Sequence, residues 1–261
     1  MLTRIHISNY RSIHELDLDL SYAEQNLPEG YEDSDQIYFL EENNKRFVPC
    51  LALYGANASG KTNIVMALSV FRNVVLRGVS DGVFDPNRLN VQRPATIFEV
   101  SFIYQEKNFT YHIEYNADEI FSEKLVCNER ELFFISSDIR RFDGIATEEY
   151  TAKRLDKIYS VEGKGEKQEK TFLSVVGDRY PGLSTELMGA FNFVRRNMSV
   201  LRNNAVSPYR GINLLARTVF KSQTDEDIQK AFNRVTDVLK KLDFDISRME
   251  LKREKHPLDE N

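Results

Sequence analysis

Apolar and polar residues alternate one by one at the start of the chain. Ile5 and Ile7 interleave with Arg4, His6 and Ser8, and Leu16, Leu18 and Leu20 with Asp17 and Asp19. A period of two predicts a pair of strands around a turn, each with one face covered. The alternation returns at Phe98, Val100, Phe102 and Tyr104, then at Phe109, Tyr111, Ile113 and Tyr115, with "QEKN" as the turn. Shorter strands are predicted over 120–127 and 131–135, completing an antiparallel set. The aromatic stripes suit the core face of a sheet; a base-stacking platform is the alternative. Core is the commoner use.

Other stretches change period. Residues 47–54, "FVPCLALY", form an almost continuous apolar run, as in a strand buried on both faces. Downstream, Ile64, Ala67, Leu68, Phe71, Val74 and Val75 recur at helical spacing, and a helix is predicted to end at Arg77-Gly78. Residues 78–95 are rich in turn formers and predict a long loop. Residues 21–46 are polar and acid-rich apart from "IYFL", which predicts a hairpin extension or surface loop.

The second half reads differently. Residues 136–170 are charge-rich and end in "VEGKGEKQEK", predicting a mobile loop. Beyond them, Leu183, Leu187, Phe191, Val194 and Met198 share one helical face, as do Ile228, Phe232, Val235, Leu239 and Leu242. Thr224 and Asp227 stand like a capping box before the second set, and "FDISRMELKRE" predicts a strand running into a charged tail. The expected organisation is a β-rich lobe over 1–135, a charged region over 136–170 and a helical subdomain over 171–261.

Composition narrows the function classes. The 261 residues are 41% hydrophobic, enough for one large domain or a domain with a subdomain. A net charge of −5 leaves no global basic field for nucleic acid. Local contacts through Arg140-Arg141, Arg195-Arg196 and Lys240-Lys241 stay open. Two cysteines without a C-x-x-C pattern fit a reduced chain, and four scattered histidines give no metal-ligand spacing. With no run of 18 apolar residues and no basic-then-apolar start, a cytoplasmic chain outside the membrane is expected.

The chemistry concentrates in "YGANASGKTN", residues 54–63. It fits G-x-x-x-x-G-K-[ST], the P-loop pattern, between an apolar run and a helix. Glycines let successive backbone N–H groups point inward around phosphate oxygens, and the following helix aims its positive end at the same place. The predicted nucleotide-binding residues are Gly55, Ala56, Asn57, Ala58, Ser59, Gly60, Lys61, Thr62 and Asn63. Lys61 would reach the β- and γ-phosphates of ATP, and Thr62 would hold Mg²⁺. The fold class that follows is α/β, a P-loop NTPase.

An N-terminal strand pair before the P-loop and an antiparallel sheet after it, with "ISNYRSI" at 7–13 and "LYGANASGKTN" at 53–63, resemble a particular group. They are similar to the ABC-type ATPase heads of structural-maintenance-of-chromosomes proteins, RecF and overcoming-lysogenization-defect nucleases. The likeness is strongest to the ABC-type AAA-family ATPases of bacterial anti-phage defence. "FSEKL" at 121–125 and "LKKLDFDISRMEL" at 239–251 add pattern-level similarity. The resemblance implies that Arg11 approaches the nucleotide, and that ATP drives head dimerisation and gates an effector such as a nuclease or toxin.

That family also needs a glutamine at Mg²⁺, a signature segment, and a Walker B strand ending in Asp-Glu. Gln92 and Gln105 are both candidates for the glutamine. No Walker B pattern follows Thr62, no signature segment occurs, and no catalytic residue can be named. The expectation is an N-terminal lobe lacking the C-terminal Walker B half, which binds ATP but hydrolyses it poorly alone. It would complete its sheet by self-association or with a second ATPase lobe. Two other readings stand beside this one: a non-catalytic scaffold or regulator that docks a partner, and a RecF-like DNA-maintenance ATPase.

Overall fold

In a computed structural model the chain divides into two units, Met1–Val200 and Leu201–Asn261. The described residues are 1–22, 38–40, 45–48, 50–80, 82–90, 95–162 and 169–200. The readings made over 201–261, Lys240-Lys241 among them, therefore lie outside the described residues, as does Gln92.

A seven-stranded antiparallel sheet carries the first unit. Its strands are β1 (Leu2–Tyr10), β2 (Ile13–Asp19), β5 (Thr96–Tyr104), β6 (Lys107–Tyr115), β7 (Ile120–Cys127), β8 (Arg130–Ser136) and β9 (Arg140–Arg141), ordered β2-β1-β5-β6-β7-β8-β9. A small hairpin, β3 (Tyr38–Leu40) with β4 (Lys45–Phe47), follows the end of β2. Register follows the alternation in the sequence: Phe98 lies opposite Ile113, Val100 opposite Tyr111 and Phe102 opposite Phe109. All of these are buried, so the aromatic stripes are core.

The sheet is covered on one face. Helix α1 (Lys61–Arg77) sets Phe71 edge-on to Phe98 and Tyr111, with ring centroids 5.8 and 5.9 Å apart. Helices α2 (Ala152–Glu162), α3 (Phe172–Arg179) and α4 (Thr185–Asn192) follow, and a π-helical turn, Phe193–Asn197, stacks Phe193 on Phe102 at 4.1 Å. The opposite face is polar. There Arg4 pairs with Asp17 and Glu99, His112 lies 3.7 Å from Glu99, and the Ser101 and Thr110 hydroxyls meet at 2.9 Å. One dry and one wet face are what the period-two pattern asks of an antiparallel sheet.

Two expectations are corrected. Residues 136–170 are not simply loop, because α2 runs through them. Leu155 and Tyr159, four apart, are fully buried beneath a charged outer face, and so sparse an apolar stripe is hard to see among charges. Nor do residues 47–54 form a doubly buried strand. Among the described residues there, only Phe47 belongs to a strand, while Leu51, Leu53 and Tyr54 are 47%, 36% and 92% exposed. A strand buried on both faces needs neighbours along both edges, and among the described residues no strand pairs with 50–54.

Candidate nucleotide-binding loop

Residues 55–62 connect the exposed segment 50–54 to α1. Gly60 sits at φ +93 immediately before the helix, a conformation that favours glycine. Ala58 adopts φ +63 without that freedom. Asn63 N donates to Gly60 O at 2.9 Å, closing the first turn. That turn contains no acidic residue, so nothing on the helix itself neutralises its positive end.

Lys61 folds back over the loop. Its Nζ donates to Gly55 O at 2.7 Å, Ala56 O at 2.6 Å and Ser59 Oγ at 3.2 Å. The ammonium therefore sits inside the curve that the loop makes. Thr62 is exposed at the start of the helix, and Asn57, Ala58 and Ser59 are exposed as well. The nine loop residues predicted from the motif are thus contiguous around one helix terminus.

The other predicted residues divide. Arg11 pairs with Asp85: Arg11 Nε donates to Asp85 Oδ2 at 2.8 Å, and the guanidinium lies 5.6 Å from the Tyr10 ring centroid. Its neighbour Ser12 is the residue that meets the loop, with Asn63 Nδ2 donating to Ser12 Oγ at 2.7 Å. Gln105 occupies the two-residue hairpin between β5 and β6, with φ +50, and Glu106 beside it has φ +63. Such a turn requires two left-handed residues. It lies at the end of β5 remote from the Ser12 turn, about 25 Å along a nine-residue strand.

Three arginines of the basic pairs are already engaged. Arg140 binds Asp156 at 2.8 Å, Arg141 binds Glu131 at 2.9 Å and Arg195 binds Asp178 at 3.0 Å. Among the described residues no helix is long and apolar enough to cross a membrane.

One site went unforeseen. Glu123 of β7 is fully buried and accepts from the Tyr111 hydroxyl at 2.7 Å, Phe172 N at 2.6 Å and Leu173 N at 3.0 Å. Burial pushes its carboxyl up to about 7, against the downward pull of these donors. Thr171 caps the same helix, accepting from Ser174 N at 3.0 Å and donating from Oγ1 to Val75 O at 2.7 Å. Glu123 and Thr171 thus fasten α3 between the sheet and the end of α1. A signal existed: Glu123 shares the inward parity of Leu125 and Cys127. An acid on the core side of a strand needs buried donors.

Residues 50–160 match the family described as "AAA domain, putative AbiEii toxin, Type IV TA system". No curated protein matches the chain. The matched region runs from the exposed segment through the loop, α1 and strands β5 to β9 into α2, leaving β1 and β2 outside it. This part of the chain is similar to an AAA-type ATPase domain, in which nucleotide binding is the shared property.

Proposed function

We propose that residues 55–62 bind the phosphates of ATP in an ABC-type ATPase lobe, with Lys61 as the principal cation. The observation that carries this reading is Gly60-Lys61-Thr62 opening a 17-residue helix whose first turn has no acid. Phosphate oxygens would replace the carbonyls of Gly55 and Ala56 as partners of Lys61 Nζ, exchanging neutral acceptors for charged ones. The exposed Thr62 hydroxyl offers one oxygen to Mg²⁺, which suits a cation held mainly by substrate phosphates and water. When bound, Mg²⁺ neutralises charge on the phosphates.

Hydrolysis would need a carboxylate to orient the attacking water, supplied from a second lobe or another subunit. The exposed apolar side chains of 50–54, a segment that no described strand pairs, support such a partner, because unpaired backbone beside apolar side chains accepts another strand. ATP-dependent pairing that gates an effector, a nuclease or toxin in antiviral defence, is the biological role that the sequence resemblance favours. The same open edge also favours the scaffold reading, in which docking alone is the function.

A titration with ATP and Mg²⁺, with phosphate release alongside and Lys61→Ala as control, separates these readings. Binding without turnover, lost in Lys61→Ala, supports a half-site. Turnover lost in that variant would make the chain a complete enzyme. No binding by the unsubstituted chain would leave the scaffold.

A further inference from the structure

The turn of residues 9–12 holds two parts of the molecule at once. On one side, Ser12 Oγ accepts from Asn63 Nδ2 at 2.7 Å, and a Cβ placed on Gly60 would come within 3.1 Å of that oxygen. On the other, Arg11 donates to Asp85 twice, from its backbone N to the carbonyl and from Nε to the carboxylate, each at 2.8 Å. Asn9, fully buried, accepts from Asn87 N at 3.0 Å and donates from Nδ2 to Ala95 O at 2.8 Å. Its carbonyl accepts from Thr96 Oγ1 at 2.8 Å.

The backbone is held where it would not rest unaided. Asn9 has φ +58 and Arg11 φ +50, both left-handed and neither glycine. Contacts on the two sides fix them there. A phosphate entering the nucleotide loop would give it a second arrangement. With Lys61 Nζ on Gly55 O and Ala56 O the loop is closed on itself, and a phosphate must break those bonds to enter. Gly60 and Asn63, which bracket Lys61 and Thr62, are the residues that bear on Ser12.

We propose that the 9–12 turn is a coupling clamp, which transmits occupancy of the 55–62 loop to the segment 82–90, with Ser12 and Asp85 as its two positioning residues. The inference rests on the nucleotide-binding reading. Rearrangement around Lys61 shifts Gly60 and Asn63 against Ser12. The rigid turn carries that shift to Arg11 and Asn9, and so to Asp85 and Asn87. Coupling of this kind requires that an element with two arrangements be biased from both ends, which the closed and ligand-bound loop provides.

Amide hydrogen exchange over 85–90 in the full chain tests it, with and without ATP and Mg²⁺, for the unsubstituted protein, Ser12→Ala, Ser12→Thr and Asp85→Asn. Nucleotide is expected to slow exchange there about threefold or more. Ser12→Ala and Asp85→Asn should still bind nucleotide, with unchanged melting temperature for Ser12→Ala, yet lose the slowing. Ser12→Thr keeps the hydroxyl and should restore it. Binding that leaves 85–90 unaffected, or a full response in Ser12→Ala, overturns the clamp. If the unsubstituted chain binds no nucleotide, the binding reading falls. Transmission of occupancy falls with it, and ligand-free exchange decides the mechanical link alone: faster exchange over 85–90 in Ser12→Ala supports the link, and an unchanged rate overturns it.

Discussion

Strand β5 and the segment 50–54 are both apolar, and they end in opposite states. Phe98, Val100 and Phe102 of β5 are buried, with β1 hydrogen-bonded along one edge and β6 along the other. Leu51, Leu53 and Tyr54 are no less hydrophobic, yet they stand in solvent. Side-chain character supplies the reason to bury, but a strand forms only where other backbones meet its N–H and C=O groups. The segment is poised, chemically, as a strand without a sheet.

Substitutions on the two sides should differ sharply. Phe71→Ala removes the ring that α1 presses between Phe98 and Tyr111, and should cost about 4 kcal/mol in urea unfolding. A loss under about 1 kcal/mol would mean that the helix does not hold this face.

Glu123 comes next. Glu123→Ala leaves the Tyr111 hydroxyl and two helix N–H groups without an acceptor, for a loss of about 3 kcal/mol. The acid also predicts a pH dependence. Its pKa rises from 4.5 to about 7 on folding, so between those values the native state keeps a proton that the unfolded chain has released. Stability should therefore fall as pH rises through this window, by up to about 1.4 kcal/mol per unit, and should level off above it. Glu123→Gln should flatten the slope; an unaltered slope would place its origin elsewhere.

Effects at the loop are smaller. Ala58→Gly relieves a left-handed alanine but loosens the unfolded chain, for a net gain of about 0.5 kcal/mol. A measurable drop in melting temperature would contradict the strain. Leu53→Ala, in the open segment, should shift unfolding of the isolated chain by less than about 0.5 kcal/mol. A larger loss would show that the segment already packs, and the contrast with β5 would vanish.

What could be read in advance follows the range of the forces involved. The strands at 96–115 and helix α1 depend on neighbours a few residues away, so periodicity finds them, and the loop motif declares itself by spacing alone. Glu123 depends on Phe172, separated from it by 49 positions, and Arg11 on Asp85, separated by 74. No local pattern carries such a pairing. The resemblance implies Arg11 at the nucleotide, and the contacts that folding makes are Arg11 with Asp85 and Ser12 with Asn63. The run at 47–54 failed for the converse reason: its pattern was sound, and its neighbours were missing among the described residues.

Cys50 opens the exposed segment and is itself exposed, whereas Cys127, the other cysteine, is buried in β7. The chain thus carries one thiol that a water-borne alkylating reagent can reach, five residues before Gly55. Its rate of labelling is a stopwatch for whatever comes to lie along that edge. A subunit that pairs there should slow the chemistry at sulfur with no mutation, dye or tag introduced beforehand.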